Sequence, residues 1–493
     1  MGCFNMLASG SLYVFALYAS SFTSRLGYSQ TQTSMIGIIG DIGLYGVGPV
    51  SGFMADRLGP QPTSFVAALL LGLGYCLLSI GYSRGLDNVA QGQPPTHFLL
   101  MALFLFLAGM GSSASYMAAF TSLTKNFKSA RGIALGIPVS FFGLSAAVLT
   151  LLAQGFFMMS TPSSDDDGLK PKAGKQQELD TIRFLLFLGM SGGLINALSV
   201  FGLNIWPKPV EEDENENASE DNQTITPSLS QHSVEAQENT PLLRDETLTE
   251  TLADAAGPAQ NQYKPYEVQS ISGKAFFLDR DAQSFFVVML CLAGTGLMII
   301  NSISAMVDSV AAKEQATDDV ASIRAKHVAF ISLSSYTGRI LAGLGSDVAI
   351  HRYGFQRIVV LPIATACMGL AQLVGMFAPL HWLYLCSVLT GLAYGGFFGV
   401  AGIIVAELWG EETCGQNWGW LSWGSAIGGL LFNLIFGVVM DAARPVVDGE
   451  TQTCEGHGCF RWALVVSFSA CAFSCALSVV MGERQKRKAA LAR

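Results

Sequence analysis

The sequence predicts an all-α membrane protein: twelve transmembrane helices in two pseudo-symmetric six-helix bundles. Three observations carry this. Twelve apolar stretches of spanning length lie six on either side of an acidic segment at residues 207–281. Of 493 residues, 51% are hydrophobic and 13% charged, against a charged share of about 25% in soluble domains. A segment of the first half also reappears in the second.

Hydrocarbon leaves backbone N–H and C=O groups without partners, so about 20 consecutive apolar residues must cross it as a helix. The first six spans are expected at 3–24, 32–55, 63–83, 97–123, 130–153 and 182–206. The second six are expected at 283–306, 327–346, 356–377, 381–407, 415–440 and 460–481. No Arg or Lys precedes the first apolar run and no cleavage pattern follows it, which argues against a removed signal peptide. The start MGCFNM lacks Ser or Thr at position 6 and fails the myristoylation pattern.

The expected domains are an N-terminal bundle (1–206), a linker (207–281), a C-terminal bundle (282–481) and a basic tail (482–493). The linker holds 16 acidic and 5 basic residues, so it more than accounts for the net charge of −9. Its run Glu211, Glu212, Asp213, Glu214 and Glu216, followed by Ser, Thr, Asn and Gln, has the composition of a solvated, unfolded segment.

Span 2 overlays span 8 at an offset of 291 residues, pairing Tyr45 with Tyr336, Gly52 with Gly343 and Asp56 with Asp347. Each copy ends in Gly-x-x-x-Asp with a nearby base, Arg57 or Arg352. Paired halves imply a central cavity between them.

Gly52, Asp56, Arg57 and Gly59 form Gly-x-x-x-Asp-Arg-x-Gly, which resembles the signature after the second span of the major facilitator superfamily. The phrases ASGSLYVFALYASSF, SQTQTSMIGIIGDIGLYG and AELWGEE further look like the fungal monocarboxylate-transporter-homologue group and its nodulin-like relatives. The resemblance covers nearly all twelve spans and excludes the linker. It implies an alternating-access transporter with both ends in the cytosol and Gly52, Asp56, Arg57 and Gly59 in a cytosolic gate, together with Gly343, Asp347 and Arg352. Val348 stands where the second copy would carry its Arg.

Charge inside a bilayer costs at least about 2.5–3.5 kcal/mol, so Asp41 in span 2 and Arg339 in span 8 need a reason. Asp41, Tyr45, Gly48 and Gly52 share one helix face, as do Ser332, Tyr336, Arg339 and Gly343. Arg339 reads either as an anion site, through two parallel hydrogen bonds to a carboxylate, or as part of the gate. Related monocarboxylate transporters carry an Asp one turn before this Arg, where this chain has Ser335, and a Lys in the first span that it lacks. Asp41 reads as a proton-coupling carboxyl or as a structural cap. Asn301, Tyr13, Tyr116 and Tyr394 are further pathway candidates or interhelical hydrogen-bonding groups. Trp418, Trp420 and Trp423 read as an interfacial aromatic belt. Arg131 and Glu407 are placed for a salt bridge between halves.

In the linker, Glu238-Asn-Thr-Pro-Leu242-Leu243 resembles acidic dileucine signals read by sorting adaptors. A sorting adaptor is therefore an expected partner, and a vacuolar membrane the expected location, with the plasma membrane as the alternative. Asn217 and Asn222 head glycosylation sequons that cytosolic placement leaves bare. Cys454, His457 and Cys459 form a short cluster that reads as a disulfide, as two free thiols, or as a weak three-ligand metal site.

No P-loop, His-Glu-x-x-His or Gly-x-Ser-x-Gly pattern is present. The expectation is no enzyme, no cofactor, no metal and no nucleic acid, with a small solute and membrane lipid as partners. The function read from the sequence is secondary active transport of a small organic solute, carboxylates among the candidates, with proton coupling through Asp41. The alternative is a transport-inactive sensor or scaffold acting through the acidic loop.

Overall fold

The computed structural model describes residues 1–28, 30–127, 131–160, 177–205, 270–315, 320–443, 446–447, 450–451 and 454–491. These form twelve spans. Span 1 is built of Gly2–Ser9, Gly10–Val14 and Phe15–Leu26, and span 2 of Gln30–Asp41, Ile42–Gly46 and Gly48–Arg57. Spans 3 to 6 are Pro60–Ala90, Phe98–Asn126, Arg131–Phe156 and Thr181–Gly202. Spans 7 to 12 are Arg280–Glu314, Val320–Tyr353, Val360–Phe377, Leu383–Trp409, Cys414–Ala442 and Arg461–Leu491. Short antiparallel strands Met158–Ser160 and Gln177–Leu179 pair between spans 5 and 6.

Among the described residues eleven helices are long and apolar enough to cross a membrane. Span 8 is the exception. Arg339, with Ser332, Ser334, Ser335 and Tyr336 beside it, lowers its apolarity. Large apolar side chains such as Leu151, Met190, Phe201, Leu430 and Phe473 stay exposed on the outer faces, as lipid contact requires.

Small residues let the helices approach one another. In the first half a Cβ on Gly74 or Gly111 would strike the backbone of Ala108 or Leu71, which locks spans 3 and 4 together. In the second half Gly391, Gly395 and Gly399 lie equally tight against Ile331, Ser335 and Arg339, joining spans 10 and 8. Asn5, Ser64 and Asn196 form a buried hydrogen-bonded cluster that ties spans 1, 3 and 6. Between halves, span 2 packs on span 11 and span 5 on span 8.

The end of the expected linker and the start of the expected basic tail both make contacts with the membrane body. A short helix, Lys274–Leu278, precedes span 7, and its Phe276 is buried against Trp409 at 5.3 Å between ring centres. Asp279 caps span 7 by accepting from the N–H groups of Asp281 and Ala282, and also accepts from the Trp409 indole N–H. Ile271 donates to the Trp409 carbonyl and accepts from Thr413 and Asn417, so residues 271–279 are stitched to the turn between spans 10 and 11. At the other terminus the helix of span 12 runs on to Leu491, and Lys488 and Arg484 pair with the buried Asp281.

Candidate functional site

At one end of the molecule two carboxylates join the halves. Asp56 accepts from the N–H groups of Gly415 and Gln416 in the first turn of span 11, at 3.2 and 2.8 Å. Asp347 accepts from those of Gly132 and Ile133 in the first turn of span 5, both at 3.0 Å. Each acid satisfies donors that a helix start leaves free and meets the positive end of the helix dipole. Beside them Gly52 lies on the Gly415 carbonyl and Gly343 on that of Gly132, with no room for a Cβ. Gly59 has φ +94°, a conformation open to glycine, and lets the chain turn directly into span 3.

The second latch carries a charged brace. Arg357 pairs with Asp347 at 2.8 Å and with Glu407 at 3.0 Å, and donates to Ser346. The expected Arg352 is exposed instead, because span 8 continues to Tyr353 and carries it past the latch. Glu407 therefore takes Arg357 as partner, and the side chain of Arg131 lies outside the described residues. Arg57 is exposed and rests over the Phe53 ring at 5.8 Å.

Between the halves, further from the latch, lies a cavity of about 530 Å³ counting its mouth. Tyr13, Tyr45, Tyr116, Tyr394 and Arg339 line it. Tyr13 sits on the 3-10 turn Gly10–Val14, and Tyr45 on the π turn Ile42–Gly46. Such departures from α geometry turn side chains off the regular helix face. The two phenol oxygens share a hydrogen bond of 2.5 Å.

Arg339 is 3% exposed, and its Nε and Nη1 have no hydrogen-bond partner among the described residues. Four phenols, Tyr13, Tyr45, Tyr116 and Tyr394, lie within electrostatic reach of it. At the repeat offset of 291 it stands where the first half has Gly48. Gly48 packs closely on Gly419 and Ser422, whereas the guanidinium lies directly against Gly143, where a Cβ would overlap Nη1. The pseudo-symmetry is broken at this point by one buried charge.

Other expected pathway residues lie elsewhere. Asp41 is exposed, one turn further from the latch than Tyr45, within electrostatic reach of Tyr13, Tyr45 and Tyr394 but outside the lining. Asn301 is exposed and Tyr336 half-buried, and neither lines the cavity. Glu238, Leu242, Leu243, Asn217 and Asn222 fall outside the described residues.

The aromatic belt expected at span 11 is a second correction. Trp418 is 2% exposed and lines the cavity, stacked on Phe120 and edge-on to Phe398. Trp420 packs on Phe277, and Trp423 donates to the Gly46 carbonyl. Phe142, Phe398 and Gly143 also escaped the sequence reading. The i, i+4 pairs Tyr116/Phe120, Tyr394/Phe398 and Trp418/Ser422 were the available signal, since each puts two side chains on one helix face.

At the end opposite the latch, Cys454 and Cys459 form a disulfide, which resolves the three readings of that cluster. His457 Nε2 is 2.9 Å from the Ala378 carbonyl.

Comparison with known proteins agrees with this architecture. The transporter FucP in its outward conformation superposes with a TM-score of 0.53 at 15% identity, covering 96% of this chain and 98% of FucP. A bacterial homologue of the iron transporter ferroportin, outward-facing, gives 0.59 at 11% identity, covering 98% of both chains. The chain has the major facilitator fold. In sequence its likeness is to the nodulin-like and fungal MCH1 group. Residues 2–165 match the Nodulin-like family model. "Probable transporter mch1" of Neurospora crassa is 26% identical over 94% of this chain and 85% of its own length. "Probable transporter MCH1" of Gibberella zeae is 27% identical over the same shares. The major facilitator fold accounts for the pairing of span 2 with 11 and span 5 with 8, which places the cavity on the pseudo-two-fold axis.

Proposed function

We propose that this multi-pass membrane protein is a secondary active transporter that moves a small organic carboxylate by alternating access. The observation that carries the reading is Arg339, a buried guanidinium with two unpartnered nitrogens in a cavity between pseudo-symmetric halves. A buried charge without a counter-ion is costly, and a bound carboxylate supplies both the opposite charge and two parallel acceptors. The fungal relatives, named as probable transporters, support the same reading. The cavity is the site, and the Asp56 and Asp347 caps are the latch that holds one end of the halves together.

We assign the latch end to the cytosol. Disulfides form and persist in oxidising compartments, and Cys454–Cys459 lies at the opposite end, so that end faces the lumen or exterior. Asp41, near the cavity tyrosines on the side away from the latch, is the proposed proton-coupling carboxyl. Retention of full pH-gradient-driven uptake by Asp41→Asn would remove that role. The Leu242-Leu243 motif directs the protein to the vacuolar membrane on this reading, and a fluorescent fusion carrying Leu242→Ala and Leu243→Ala should move to another membrane.

The transport reading is tested by solute flux into proteoliposomes, with substrates chosen from a thermal-shift screen of metabolites. Flux in the native protein that Arg339→Gln abolishes supports it. A correctly folded protein that passes none of the binding solutes under any gradient contradicts it.

A further inference from the structure

We infer that the cavity is built for a monocarboxylate with a flat, apolar body, a single aromatic ring on a short arm. This rests on the carboxylate reading of Arg339 and narrows the substrate class of that same site.

Three observations lead there. Among the described residues Arg339 is the only charged side chain on the lining, so the site balances one negative charge and leaves a second one desolvated without a partner. Seven of the thirteen lining side chains are aromatic, and they are held by one another. Phe142 is edge-on to both Tyr13 and Tyr116 at 5.3 Å, Tyr394 meets Phe398 at 4.8 Å, and Phe398 meets Trp418 at 6.2 Å. Rings fixed in this way offer faces and edges to another ring at little cost in side-chain freedom. Finally, the described lining has no Asn, Gln, Asp, Glu or Lys, and the Tyr13 and Tyr45 hydroxyls already bond to each other. A polyol would bring many hydroxyls to a surface with few free partners, and each unmade hydrogen bond would count against it.

In the proposed complex the carboxylate pairs with the guanidinium of Arg339, which the missing side chain of Gly143 leaves its room. The ring lies among Phe142, Phe398 and Trp418. No covalent step is involved.

The test measures dissociation constants by calorimetry on the full-length protein in nanodiscs, with four probes: 3-phenylpropionate, its amide, propionate and phenylsuccinate. The expected result is that 3-phenylpropionate binds at least tenfold more tightly than each of the others. Arg339→Gln should erase the preference for acid over amide, and Phe398→Ala the preference for the ring. Propionate binding as tightly as 3-phenylpropionate overturns the ring inference and leaves the carboxylate reading standing. The amide binding as tightly as the acid, in native protein and in Arg339→Gln alike, overturns both. Binding of none of the four, or tighter binding of phenylsuccinate, overturns the inference. The four native-protein affinities decide the matter even if a variant fails to fold.

Discussion

Asp56 and Asp347, 291 residues apart, perform the same act in opposite directions: each caps the first turn of a helix in the other half. The exchange makes the latch a property of the two halves together. Its two arms are unequal, because only Asp347 is braced by a buried arginine, Arg357.

That inequality predicts unequal variants. Asp56→Ala removes a cap and should cost about 0.5–2 kcal/mol. Asp347→Ala also leaves Arg357, 5% exposed, without one of its two acidic partners, and should cost about 3–5 kcal/mol. Thermal unfolding in detergent should show the larger fall for Asp347→Ala; equal falls would mean that the brace contributes nothing.

Gly143 makes the room for Arg339. Gly143→Val places side-chain atoms where Nη1 now lies, so the guanidinium must swing away. Carboxylate binding should weaken at least tenfold while the protein stays monodisperse. Unchanged binding would show that the observed position of the guanidinium is not the one the ligand meets.

The ordered stretch before span 7 separates from the preceding linker. Phe276→Ala should destabilise the protein by about 3–5 kcal/mol through loss of its packing on Trp409. Deletion of residues 206–262 should leave the melting temperature nearly unchanged, since their acidic, Ser-, Thr-, Asn- and Gln-rich composition is that of a solvated, unfolded segment. A large fall on deletion would place part of the fold's stability in the linker.

Membrane sidedness can be read from Cys454 and Cys459. In sealed vesicles whose non-cytosolic face is turned outward, an impermeant maleimide should label these cysteines only after reduction by an impermeant phosphine. Labelling that requires the cytosolic face to be opened would invert the topology.

Most of this architecture was legible from two periodicities. Apolar runs of bilayer length set the spans, and the 291-residue echo of Gly52 and Asp56 in Gly343 and Asp347 set the latch. Span 8 was legible although it falls short of the others in apolarity, because its polar residues share a face. What escaped depended on contacts between distant segments. Arg357 substitutes for Arg352 because span 8 overruns its expected end, and helix length past the bilayer leaves no mark on hydropathy. Trp418 looks interfacial along the chain, yet the close Gly48–Gly419 and Gly52–Gly415 approaches draw the start of span 11 inward. Gly143 carried no signal at all, since its role is the absence of a side chain beside Arg339.

The central claim is that the halves part at the latch and rejoin. Double electron–electron resonance between spin labels at Leu58 and Glu412, both exposed on the latch-end turns, tests it most directly. The native protein should give one short distance, and the combined Asp56→Asn and Asp347→Asn variant a second, longer population. A single unchanged distance in that folded double variant, with and without a bound carboxylate, would contradict it.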